Sequence, residues 1–81
     1  MLKKKKYRSR SDIVAAILKT ALDGANQTKM MYLALLSFTQ VKDYLEVLTE
    51  SGLLERNKKT KTYRTTAKGR EFLDKYETLK I

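Results

Sequence analysis

The stretch Ser37-Phe-Thr-Gln-Val-Lys-Asp-Tyr-Leu-Glu-Val-Leu-Thr-Glu-Ser-Gly-Leu-Leu-Glu-Arg-Asn-Lys-Lys-Thr-Lys-Thr-Tyr-Arg-Thr65 changes its periodicity once, at Gly52. Before the glycine it reads as a helix. Ser37 and Gln40 stand three apart, the spacing of a capping box, in which each satisfies a backbone N–H that the first helical turn leaves unpaired. With Val41 set at zero and 100° per residue, Tyr44, Leu45 and Leu48 fall within about 60° of it, so these four form a core-facing stripe. Gly52 then supplies the left-handed exit. After it, Leu53-Leu54-Glu55-Arg56 and Thr62-Tyr63-Arg64-Thr65 are short β-compatible segments flanking the polar turn 57–61. The stretch predicts a helix over 37–51 feeding a hairpin.

Upstream, Ser11 is an N-cap candidate for a first helix, with Asp12 in its first turn. Ile13, Val14, Ile17, Leu18 and Ala21 recur at helical spacing, Leu22 widens the stripe, and Gly24 closes it. A second helix is expected from about Thr28 to Leu35. Met30, Met31, Leu33, Ala34 and Leu35 make it apolar nearly all round, as for a helix packed between other elements. Tyr32, Phe38 and Tyr44 are expected in the core and Tyr63 as a brace for the hairpin. Downstream, Thr66 can cap a last helix carrying Phe72, Leu73, Tyr76 and Leu79, which Gly69 is expected to weaken slightly. Three helices, a two-stranded wing and a carboxy-terminal helix are the element order of an α+β winged helix-turn-helix. The expected domain is 11–81, preceded by a flexible basic arm over 1–10.

Charge is concentrated where that order puts loops and ends. The chain has 81 residues and a net charge of +9. Lys3, Lys4, Lys5, Lys6, Arg8 and Arg10 form one block without an acid. Arg56, Lys58, Lys59, Lys61, Arg64, Lys68 and Arg70 form the second, also without an acid. Such clustering costs self-repulsion that a bound polyanion relieves. Helix 37–51 is the expected reader of a DNA major groove, with its opening turns nearest the base edges. Thr39, Gln40, Lys42 and Asp43 are the candidates there: Gln40 for adenine, Lys42 for guanine or phosphate, Asp43 for a cytosine amine. Glu46 and Glu50 repel phosphate, so only the first half of the helix is expected to enter. On the wing, Lys58, Lys59, Lys61 and Arg64 are the expected contacts to backbone or minor groove, with Arg56 beside them. The block from Lys3 to Arg10 is expected to follow phosphates.

The segment Thr28-Lys-Met-Met-Tyr-Leu-Ala-Leu-Leu-Ser37, with Tyr44, Leu48 and Leu53-Leu54, resembles the archaeal winged-helix family typified by the ten-kilodalton Sulfolobus chromatin proteins. Tyr63, Thr66, Gly69, Phe72 and Leu73 extend the resemblance, which covers about residues 11–76. It implies binding of double-stranded DNA without catalysis, as a transcriptional regulator or chromatin-associated protein. Some family members dimerise through a long antiparallel coiled coil. The last helix here is too short for the several heptads such a seam needs. A compact homodimer through the first and last helices is the expectation instead.

Other classes lack their residues. With no Cys and no His there is no disulfide, thiol nucleophile or imidazole base, and the aspartates form no paired-carboxylate motif. Among three glycines there is no phosphate loop. No enzyme, metal, small-molecule cofactor or membrane partner is expected, and the expected location is cytoplasmic and nucleoid-associated. The alternative is a winged-helix module that binds protein or RNA; a matched DNA–RNA duplex competition separates it.

Overall fold

The computed structural model describes residues 8–79. Its elements are α1 (Arg10–Thr20), α2 (Gln27–Ala34), α3 (Phe38–Glu50), β1 (Leu54–Asn57), β2 (Thr62–Thr65) and α4 (Ala67–Leu79). β1 and β2 form a two-stranded antiparallel sheet. This is the α+β winged helix-turn-helix order.

α1 starts earlier than expected, because the cap is Ser9 and not Ser11. The Ser9 hydroxyl accepts from the Asp12 backbone N–H at 3.1 Å and the Asp12 carboxylate accepts from the Ser9 N–H at 3.0 Å. Ser11 has Val14 three residues on, which cannot return the bond. Residues 8–10 therefore belong to the folded domain, a correction to the arm boundary. The calls on Lys3, Lys4, Lys5 and Lys6 lie outside the described residues. α3 begins as expected: Ser37 accepts from the Gln40 N–H at 3.1 Å while Gln40 Oε1 accepts from the Ser37 N–H at 3.0 Å.

The core is built from Ile17, Leu18, Met30, Val41, Leu45, Leu48, Leu54 and Leu73, with small residues between them. α2 packs against both α1 and α3 as expected, but its apolar residues are not covered all round. It buries Met30 and Ala34, whereas Tyr32 is 75% exposed and Leu33 is also exposed. A helix of 8 residues packing through one face has room for only one residue per turn in the core. Phe38, at the first position of α3, is exposed as well, and so is Leu79 at the last position of α4. Tyr44 and Tyr63 pack half-buried against the core as expected.

The wing is anchored at its base. Ala25, in the connection between α1 and α2, exchanges backbone hydrogen bonds with Tyr63 at 2.9 and 2.8 Å. Thr65 is buried, and its hydroxyl donates at 2.7 Å to the Leu18 carbonyl, one of the acceptors that the end of α1 leaves unpaired. Thr66 caps α4 as expected, accepting from the Gly69 N–H at 3.1 Å.

α4 is tied to α1 along the surface. Lys19 Nζ pairs with Glu77 at 2.6 Å, and the Tyr76 hydroxyl donates to the Asp12 carboxylate. The hydrogen bond to Glu77 raises the Lys19 pKa, and the bond to Asp12 raises that of Tyr76. Both groups thus hold their protons longer folded than unfolded. The stability they contribute is present below about pH 10 and is lost as pH rises through the folded values. Thermal melts are expected to be level from about pH 7 to 9 and to fall above about 10. A K19M/Y76F variant should show a shallower alkaline fall; an unchanged one contradicts the assignment.

Candidate nucleic-acid interface

α3 presents its outer face between two open clefts. On one side, a cleft of about 320 Å³ is lined by Lys42, Glu46, Thr49 and Glu50 of α3, Gln27 of α2, and Arg56 and Tyr63 of the wing. On the other, Gln40, Asp43, Tyr44 and Val47 share a cleft with Arg10 at the start of α1. This division follows from 100° steps: Lys42, Glu46 and Thr49 point one way and Gln40, Asp43 and Val47 the other. Thr39, Gln40, Lys42 and Asp43 are all exposed. The wing-side cleft follows α3 from Lys42 to Glu50, and the α1 arginine lies in the other cleft, which begins nearer the start of the helix at Gln40.

The hairpin register sorts the wing charges. Arg56 stands opposite Tyr63 and Glu55 opposite Arg64. Cross-strand partners share a face and successive pairs alternate. Arg56 therefore faces α3, with its guanidinium 5.9 Å from the Tyr63 ring centroid. Arg64 is on the reverse face, in a cleft with Glu55, Asn57, Thr60, Thr62, Asp23 and Gly24. Lys58, Lys59 and Lys61 occupy the exposed turn. Asn57 organises that turn, its side-chain oxygen accepting from the Lys59 and Thr60 N–H groups at 2.9 and 3.2 Å. Lys61 takes the left-handed conformation, with φ of 58°. A side-chain-built turn explains how the hairpin closes without an Asn-Gly pair.

Two features qualify the reading of single residues. Gln40 uses its amide oxygen in the cap of α3, and a two-point adenine contact needs that oxygen. Releasing it gives up that one hydrogen bond, about 0.5–1.5 kcal/mol, while the Ser37 hydroxyl cap stays in place. Arg8 is not a loose cation. Its guanidinium donates at 3.1 Å to the carbonyl of Leu35, in the turn between α2 and α3. Arg8 and Arg10 are therefore not part of a free arm: the Ser9-x-x-Asp12 spacing signals that α1 begins at Arg10, and the tertiary contacts bring both arginines near the start of α3. Among the described residues, no group of three or more acids can hold a metal ion and no helix is long and apolar enough to cross a membrane.

A three-helix core with a basic hairpin docked beside its third helix defines the winged helix-turn-helix class. The chain matches the winged helix-turn-helix family over residues 7–81 and belongs to it. Among solved structures it is similar to Sso10a-2, a DNA-binding protein from Sulfolobus solfataricus. The identity is 24% and the TM-score 0.77, over 88% of this chain and 77% of that one. The winged-helix family membership expected from the sequence is thereby borne out, as is the fold. No curated protein matches the chain.

Proposed function

We propose that this domain binds double-stranded DNA, with the opening turns of α3 in the major groove and the wing on the flanking backbone or minor groove. One observation carries the reading. Arg56 lies in the cleft on one flank of α3, Arg10 in the cleft on the other, and Arg8 is held at the turn that precedes the helix. Thr39, Gln40, Lys42 and Asp43 are the groove residues. Lys58, Lys59 and Lys61 are the wing contacts, with Arg56 on the α3 side of the hairpin taking the place expected of Arg64, which lies on the reverse face. Lys3, Lys4, Lys5 and Lys6 precede Arg8 in the chain and continue the positive charge along the phosphates. The similarity to a DNA-binding protein of the same fold supports this reading.

The role is that of a transcriptional regulator or chromatin-associated protein. Selection from a random duplex library separates the two. An enriched-to-scrambled affinity ratio near one marks general binding, and a ratio above roughly a thousand marks operator recognition. A homodimer through α1 and α4 is supported by Leu79, which is 82% exposed at the end of α4. Sedimentation at micromolar concentration tests it.

Titration of DNA by charge-deleted variants tests the docking. Each phosphate contact contributes about 0.9 to the log–log salt slope. Replacing Lys58, Lys59 and Lys61 together by Ala is expected to make the slope shallower by about 2 to 3 and to weaken binding to every duplex alike. Deleting residues 2–7 should act in the same way while leaving the Ser9 cap in place. Truncating through residue 10 would remove that cap as well, confounding affinity with folding. Unchanged slopes in both variants would overturn the proposed contacts.

A further inference from the structure

Two apolar side chains beside the reader helix have no role in the core. Leu35 is 77% exposed and Phe38 is 57% exposed. Leu35 also holds a left-handed backbone, with φ of 57°, a conformation that costs a side-chain-bearing residue and that glycine adopts freely. The turn therefore carries a strained leucine whose side chain is mostly in water, and three residues on a phenylalanine opens α3. Arg8 fixes this turn through the Leu35 carbonyl at 3.1 Å. The result is a small apolar ledge at the amino-terminal end of α3, held in place and next to positive charge.

We infer that Phe38, backed by Leu35, contacts thymine 5-methyl groups in the major groove and is a specificity-determining residue of the interface. The inference rests on the DNA-binding reading above. The first residues of a reader helix are those that meet base edges, and the thymine methyl is the apolar feature on that edge. Charge selects this occupant over a second copy of the chain. Arg8 is bonded to the Leu35 carbonyl and Lys42 stands one helical turn on from Phe38 on the same side of α3, so another +9 molecule docked there meets like charge and a duplex meets opposite charge. Thymine methyls are also the only part of a duplex edge that gains from an apolar ledge instead of a hydrogen-bonding side chain.

The test changes methyl groups while holding phosphate charge constant. Affinities of the full chain are measured for an alternating A·T duplex and its A·U counterpart, and for an alternating G·C duplex and its 5-methylcytosine counterpart. Burying one methyl corresponds to about fourfold in affinity, so two contacted thymines give about fifteenfold. The wild type is expected to bind A·T about 4- to 15-fold more tightly than A·U and to gain on cytosine methylation. Phe38→Ala should bind each pair equally, and Phe38→Leu should keep part of the preference. Circular dichroism on both variants separates a lost contact from a lost fold. Equal wild-type affinity for A·T and A·U overturns the inference and leaves DNA binding standing. Absence of salt-dependent binding to all four duplexes overturns the DNA-binding reading itself. Concentration-dependent self-association abolished by Phe38→Ala, with no methyl preference, assigns the ledge to a second copy and also overturns the inference.

Discussion

Raising monovalent salt from about 50 to about 200 mM is expected to lower the affinity of this domain for duplex DNA by roughly a thousandfold to ten-thousandfold. The estimate follows from the arrangement of its cations. Arg56 and Arg10 line the clefts on either flank of α3, Lys42 is on the helix and Arg8 is bonded to the turn before it, while Lys58, Lys59 and Lys61 in the wing turn and Lys3 to Lys6 in the chain add further charge. Engaging six to eight phosphates releases enough counterions for a log–log slope of about −5 to −7, and a fourfold change in salt multiplies through that exponent. Glu46 and Glu50 in the wing-side cleft limit how far the duplex can follow α3, which keeps the count from being higher. Fluorescence anisotropy across a salt series measures the slope directly. A value shallower than about −2 would mean that the wing and the start of α1 do not touch the same duplex.

The Gly69→Ala variant is expected to lose about 3 kcal/mol or more of stability, a large part of the 5–15 kcal/mol typical of a domain. Propensity alone predicts the reverse, because alanine in a helix interior is favoured over glycine by about 0.8–1.0 kcal/mol. The packing decides. A Cβ at position 69 would lie 2.4 Å from the Leu53 carbonyl oxygen and 2.6 Å from Thr65 Cγ2. Neither neighbour can yield cheaply. The Leu53 carbonyl accepts from the Thr66 N–H at 3.0 Å, and Thr65 is buried with its hydroxyl bonded to Leu18. Relieving the contact means lifting α4 from the root of the wing. Each kcal/mol shifts the melting temperature of a domain this size by about 4–8 °C, so a fall of at least 12 °C is expected by circular dichroism. A variant as stable as the parent would show that α4 does not sit against the hairpin this closely.

That reversal of sign at Gly69 shows where reading the residues in order stops being enough. Local chemistry was legible wherever it closes on itself within a few residues. The Ser37–Gln40 box, the stripe of Val41, Tyr44, Leu45 and Leu48, the Gly52 exit and the Thr66 cap all follow from spacing alone. The Ser9–Asp12 box has the same local spacing, and its return bond from Asp12 is what distinguishes Ser9 from Ser11 as the cap. The exposure of Tyr32 and Phe38 was not legible. Periodicity says which side chains share a helix face, but not whether another element arrives to cover that face.

The candidate interface divides in the same way. Residue order alone specifies which residues carry the charge, which helix presents Thr39, Gln40, Lys42 and Asp43, and that a hairpin follows it, since each depends on interactions between near neighbours in the chain. The packed fold is what turns Arg56 toward α3 and Arg64 away, fastens the wing to the α1–α2 connection through Ala25, and brings Arg8 and Arg10 to the start of α3. These depend on strand register and on contacts between segments far apart in sequence. Their energies are set by which surfaces meet, and no local pattern encodes that.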